Sequence, residues 1–244
     1  MNPTNPSEIA AAYNDWAATY DAVENRTRDL AGEVLRRVFL GARAPSPAMS
    51  EQREIETPDF DNLKLAGRTI IEIGCGTGRN TEWLARSDAS KIIALDFSAA
   101  MLARARARIP EGQVRFVQHD IRERWPLGNE TAGLVIVLLV LEHVANLQAI
   151  FAEAARVLTV KGELFICELH PMRQLLGGQA RFTNAQTGEQ QLVAAFLHNV
   201  SDFVNEGLSA GFELKHLGEW RDGDASVQDL PRLLSLTFRL PARE

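Results

Sequence analysis

The sequence predicts an α/β fold: a doubly wound, mostly parallel seven-stranded sheet ending in an antiparallel strand pair, with an N-terminal helical lid. Three observations lead there. From Arg68 onward, short β-branched apolar runs alternate with longer helical patterns, the signature of βαβ units around a parallel sheet. The run Thr69–Ile73 passes directly into three glycines at alternate positions, Gly74, Gly76 and Gly78. The last two strand-like runs, Phe212–Trp220 and Leu233–Arg239, have no helical stretch between them and therefore pair antiparallel.

Taken in order, the chain opens with Ile9, Tyr13, Trp16 and Tyr20 at steps of four, three and four, one face of a helix over 7–21 with Ser7 as N-cap. This aromatic stripe either docks the helix on the main domain or lids a pocket, with Tyr13 or Tyr20 reaching the ligand. A second helix is predicted over Arg28–Leu40, with Gly41 at its C-terminal side. Residues 42–64 carry Pro45, Pro47 and Pro58 and read as a surface connection. The predicted organisation is thus a lid over 1–41, a connecting loop over 42–64 and a ligand-binding domain over 65–244. Five parallel strands are predicted at Thr69–Ile73, Lys91–Leu95, Val114–His119, Leu134–Val140 and Glu163–Cys167. The helices between them are Arg79–Ser87, Ser98–Ile109 and Leu147–Leu158, and Gly162 turns the chain into the fifth strand. After His170 the rhythm stops; residues 170–200 form a cap insertion in which Gln190–Asn199 suits a short hairpin. A last helix is read over Ser201–Ala210.

Composition bounds the function. At 244 residues, 45% hydrophobic and 24% charged, the chain buries a core without staples. A net charge of −6 leaves no basic face for nucleic acid. Cys75 and Cys167 suit a reduced compartment better than a disulfide framework. The opening Met1–Pro6 lacks the features of a secretory signal, and the apolar run Leu134–Leu141 is too short to cross a bilayer. A cytoplasmic protein without membrane partners is expected, as monomer or homodimer.

Open α/β sheets bind ligands beyond the carboxyl ends of their strands. There the sequence gathers Gly74, Gly76 and Gly78, Asp96-Phe97, His119-Asp120-Ile121, Leu138–His143 and Glu168-Leu169-His170. A carboxylate at Asp96, ending the second strand, accepts both hydroxyls of a ribose; otherwise it caps the helix beginning near Ser98. Asp120 can accept from an exocyclic amine while Ile121 packs a purine face, or it merely shapes a loop. Glu72, an acid inside an apolar strand, reads first as a ligand residue, with loop amides as the alternative partner. A dinucleotide fingerprint needs a glycine where Arg79 stands, and Glu72 disfavours an anionic pyrophosphate. A ligand carrying an amino group fits better.

Glu72-Ile73-Gly74-Cys75-Gly76-Thr77-Gly78 resembles the first motif of the class I S-adenosylmethionine-dependent methyltransferases, with their Rossmann-like fold. The likeness continues through Ala94-Leu95-Asp96-Phe97-Ser98, Phe116–Asp120, Leu139–Val144 and Arg156–Leu164, and Tyr13–Asp21 is similar to the first helix of many members. The resemblance implies S-adenosyl-L-methionine as cofactor, S-adenosyl-L-homocysteine (SAH) as product, and a small-molecule acceptor methylated at N or O. It places Gly74 and Gly76 at the methionine part, Asp96 at the ribose, Phe97 beside the adenine, and Asp120 with Ile121 at its amine and ring. Leu138 would offer its backbone carbonyl to the cofactor's amino group. Tyr20, Cys75, Asn80 and Met101 join this set, and Glu72 acts by orienting loop amides or through a water. Thr131-Ala132-Gly133-Leu134 departs from the family in lacking an acid before the apolar run.

Of five histidines, none has zinc-motif spacing with the cysteines, so no metal is expected. His143 and His170 are the candidate bases, with His198 in the covering segment; loop capping is the competing role. Methyl transfer to a nucleophilic acceptor needs mainly in-line positioning and exclusion of water, so a missing dyad is compatible with an enzyme. The rival readings are an NAD(P)-dependent oxidoreductase, against which Arg79 and Glu72 stand, and a non-catalytic S-adenosylmethionine-binding regulator.

Overall fold

The computed structural model describes residues 6–40, 65–110, 112–183, 187–223, 225–226 and 228–242. The connecting loop expected over 42–64 and the Gly41 helix end lie outside them.

Two helices come first, α1 (Pro6–Trp16) and α2 (Arg26–Leu40). Proline suits the first turn of α1, where its missing N–H has no intrahelical partner to lose. Ser7 therefore lies inside the helix rather than capping it. The sheet is entered at β1 (Thr69–Ile73), followed by α3 (Arg79–Ala85), β2 (Lys91–Asp96), α4 (Ala99–Arg108) and β3 (Val114–Gln118). Then come β4 (Ala132–Leu138), a 3-10 turn over Leu141–His143, α5 (Leu147–Val157) and β5 (Leu158–Leu169). The cap holds α6 (Pro171–Leu175) and a two-stranded ribbon, β6 (Arg181–Thr183) with β7 (Gln190–Leu192). The chain closes with α7 (Val200–Ser209), β8 (Glu213–Trp220) and β9 (Leu233–Arg239).

The main sheet has the order β3-β2-β1-β4-β5-β9-β8. Pairs among β1 to β5 are parallel, whereas β5–β9 and β9–β8 are antiparallel. The final strand thus inserts between β5 and β8, leaving β8 at the edge. The strand order reverses at β1/β4, which puts the switch point at the glycine turn. β5 starts at Leu158, five residues before its predicted Glu163, because the chain pairs across an irregularity between Ala132 and Leu134. Lys161, in the left-handed region at φ 61°, makes that bend.

The pleat sorts the core. Ile71, Ile73, Val135 and Val137 pack with Phe151, Phe203 and Phe238 under α5 and α7. Ile70, Leu134 and Ile136 pack with Val34, Leu35 and Leu84 under α2 and α3. Residues two apart share a face, so Glu72 points with Ile70 toward α3. Among the described residues, no helix is long and apolar enough to cross a membrane.

Candidate functional site

A cavity of about 720 Å³ of empty space, solvent mouth included, opens at the switch point. Its floor is the glycine turn. Gly74 and Gly76 have φ of 68° and 54°, conformations that L side chains rarely adopt. A Cβ on Gly74 would stand 2.2 Å from Val140 Cγ2, whereas one on Gly76 would meet nothing within 4 Å. Gly74 is therefore needed for packing against β4, and Gly76 keeps the cavity floor bare.

Asp96 crosses from the end of β2 to this turn. Its Oδ2 accepts the Gly76 amide and its Oδ1 the Ser98 amide, both at 2.8 Å. Burial pushes its carboxyl up to about 6 although these amides pull it down. The Phe97 amide acts on it as well, and a carboxylate's roughly four lone-pair sites leave it further acceptor capacity. Asp96 thus lines the cavity and also shapes the start of α4.

Phe97, Met101, Ile121 and Leu138 also line the cavity. Asp120 lines it too, but Arg122 holds both its carboxylate oxygens, Oδ1 through Nε at 2.8 Å and Oδ2 through Nη2. Burial raises the Asp120 carboxyl, but Arg122 outweighs it and holds the group below its ordinary value. Sequence reading missed Arg122; an arginine two residues after a strand-end acid was its only signal.

The β4 end forms the opposite wall. Leu139 adopts φ 56°, a strained state for a leucine beside a cavity it lines. Buried Glu168 holds this segment: its Oε1 accepts the Val140 and Leu141 amides at 3.0 and 3.1 Å. Burial drives the Glu168 carboxyl up to about 8 despite these bonds.

The remaining wall comes from the N terminus. Asn14 Oδ1 accepts from the Ser98 hydroxyl at 2.7 Å, tying α1 to the start of α4. The Thr77 hydroxyl donates to Asp21 Oδ1 at 2.9 Å, tying the segment after α1 to the glycine turn. Tyr20 is thereby set against the cavity, with the Arg28 guanidinium 5.4 Å from its ring centroid and burial pushing its phenol up to about 12. Trp16 stacks on Phe182 of the cap ribbon, centroids 5.4 Å apart. Along the aromatic stripe, Ile9 and Trp16 dock in an apolar cluster, and Ile9, Tyr13 and Tyr20 line the cavity. The helix itself stops at Trp16, so Tyr20 belongs to the turn beyond it.

His143 faces the cavity from beside Glu142. Its Nδ1 meets the Ala194 carbonyl at 2.7 Å, and its Nε2 meets the Tyr13 hydroxyl at 2.8 Å.

Four predicted site residues do not line the cavity. Glu72 turns to α3, where it accepts the Thr81 hydroxyl at 2.5 Å; burial pushes its carboxyl up to about 8 against that bond. Its partner among the described residues is thus a side chain rather than a loop amide. The Cys75 side chain packs with Ala94 and Leu102, leaving only its backbone in the turn. Asn80 lines a separate polar crevice with Arg79 and Arg28. His170 caps α6 through Nδ1 and meets Glu219 through Nε2 at 3.1 Å, so packing and capping explain it. His198 likewise serves a loop, its Nε2 donating to the Val144 carbonyl at 2.7 Å. Among the described residues, no three His, Cys, Asp or Glu side chains gather in a metal-binding group.

A family profile described as "Methyltransferase domain" matches residues 71–166. An uncharacterized methyltransferase of Emericella nidulans is 28% identical over 225 residues, covering 85% of this chain and 76% of that one. A ubiquinone biosynthesis O-methyltransferase of Xanthomonas oryzae pv. oryzae is 28% identical over 188 residues, 74% of this chain and 72% of that one. Among solved structures, the DhpI–SAH complex superposes with a TM-score of 0.67 at 19% identity, over 97% of both chains. The matched domain and these relatives make the chain an S-adenosylmethionine-dependent methyltransferase, and its sheet order is the Rossmann-like fold that the solved structure shares.

Proposed function

We propose that the enzyme methylates a small molecule at oxygen or nitrogen, within a pocket closed by α1 and the cap ribbon. The observation that carries this reading is the stacking of Trp16 on Phe182, which ties α1, whose Ile9 and Tyr13 line the cavity, to the cap ribbon. A lid so tied to a cap favours an enclosed acceptor over a nucleic acid or an extended peptide. The net charge of −6 points the same way, and an O-methylating relative supports oxygen.

The residues fit the cofactor. Bare space above Gly76 admits a ligand against the backbone, and the open lone pairs of Asp96 suit the two ribose hydroxyls. Half-buried His119, which lines the cavity, has a buried Nε2 atom with no partner among the described residues, a further hydrogen-bonding position. In this reading Phe97, Met101 and Ile121 flank the adenine, Asp120 meets its amine while bound to Arg122, and the Leu138 carbonyl meets the amino group. Tyr20 and Gly74 border the methionine part. When bound, S-adenosylmethionine supplies an electrophilic methyl group on a sulfonium. The chain's contribution is to orient the acceptor in line and to exclude water.

Incubating the enzyme and a metabolite extract with methyl-labelled cofactor, read by mass spectrometry, tests this proposal. A labelled small molecule is expected. Label found only in protein or RNA would refute the small-molecule reading.

A further inference from the structure

We propose that Tyr13, His143 and Glu142 form a proton relay, and that the acceptor is a phenol presenting an un-ionised hydroxyl to Tyr13. This deepens the small-molecule reading above and rests on it.

The three groups come from distant segments and meet at the cavity wall. A carbonyl only accepts, so the His143 Nδ1 atom, 2.7 Å from the Ala194 oxygen, carries the hydrogen. In the neutral ring, Nε2 is then the acceptor, and the Tyr13 hydroxyl donates to it at 2.8 Å. The lone pairs of the Tyr13 oxygen are left as acceptors. Glu142 Oε1 stands 3.7 Å from the same Nε2, and both side chains are buried. Gln174 fixes the other Glu142 oxygen at 3.3 Å. Once Nε2 takes a proton, Glu142 faces the positive charge that forms there.

Burial and neighbouring carboxyls hold the Tyr13 phenol well above its ordinary value, so a standing tyrosinate is disfavoured. Tyr13 can work only by taking one proton as it gives another. The balance is complete. The acceptor oxygen forms a bond to the methyl carbon, and the carbon–sulfur bond breaks with its electron pair left on sulfur. The acceptor proton passes to the Tyr13 oxygen, and the Tyr13 proton passes to His143 Nε2. The positive charge lost from sulfur reappears on the imidazolium, between the Ala194 carbonyl and Glu142. Tyr13 is the catalytic residue; His143 and Glu142 act through it.

Two phenols of different acidity separate this relay from a structural role: catechol, whose hydroxyl keeps its proton at neutral pH, and 4-nitrocatechol, which is largely ionised. Tyr13→Phe is expected to slow catechol methylation by about 100-fold, the lower range for general acid–base catalysis. Turnover of 4-nitrocatechol should change less than about threefold, and cofactor affinity by calorimetry less than about twofold, on the same acid–base ground. His143→Asn, which keeps a donor for Ala194 but lacks Nε2, should reproduce the split. Equal losses on both phenols, or no loss on catechol, would overturn the relay. Wild-type failure on both phenols would overturn the phenol assignment, while the labelled extract reports separately on methyl transfer. Nitrogen-15 NMR of histidine in the cofactor-loaded protein decides the relay without any acceptor. A protonated Nδ1 with a bare Nε2 at His143 supports it, and a protonated Nε2 in the neutral ring contradicts it.

Discussion

The cavity has two halves of different construction. The strand-end half, Gly74 to Gly76 with Asp96, is made by neighbours in one sheet, and its hydrogen bonds run from carboxylate to backbone amide. The lid half, Tyr13 with His143 and Ala194, is assembled from two side chains and a backbone carbonyl of three remote segments. The first half is rigid and depends on glycines and a buried acid. The second depends on whether α1 and the cap stay docked. In the proposed reading the floor serves the cofactor, and the acceptor is chosen by what the lid presents.

If that contrast is right, substitutions in the floor should damage the fold itself. Gly74→Ala places a Cβ on Val140 in a left-handed conformation and should cost about 2–5 kcal/mol in urea unfolding. Near-wild-type stability would show that the floor yields. Glu168→Ala leaves the Val140 and Leu141 amides without their acceptor and should cost about 1–3 kcal/mol. A loss below the error of the unfolding curve would mean that Glu168 does not hold the wall.

Acidity sharpens the comparison. Glu72 and Glu168 have their carboxyls raised from 4.5 to about 8 in the fold. Between those values the unfolded chain has released protons that the folded chain still binds, so stability falls as pH rises from about 5 to about 8. The melting temperature of the cofactor-free protein should drop across that window, and the drop should be smaller in Glu72→Gln. A melting temperature that rises instead would mean that other titrating groups govern stability there. At the small end, His170→Ala removes the cap of α6 and should cost about 1 kcal/mol, with cofactor affinity unchanged. A selective loss of turnover there would return His170 to the active site.

What was legible follows the same division. The parallel strands, the glycine turn and Asp96 could be read because each depends on local pattern: apolar runs, residues suited to positive φ, and an acid ending a strand. The partner of Glu72 was not readable, because periodicity within one strand does not reveal that Thr81, nine residues on, supplies a hydroxyl on the facing helix. His170 stood at a strand end as a base would, yet its own next turn and Glu219 engage it. The insertion of β9 between β5 and β8 was not readable, since antiparallel pairing alone leaves either strand free to take the edge. Nor were Leu139's left-handed backbone and the Tyr13–His143 contact, the one strained by tertiary packing and the other spanning 130 residues.

The central claim is that the strand-end half holds S-adenosylmethionine, with Asp96 at its ribose. Calorimetric titration of S-adenosylmethionine into wild type and Asp96→Ala tests it most directly. Binding by the wild type, weakened by about 1.5–3 kcal/mol in the variant, is the expected result for lost charge-assisted hydrogen bonds. Equal affinity in a folded Asp96→Ala protein would contradict it.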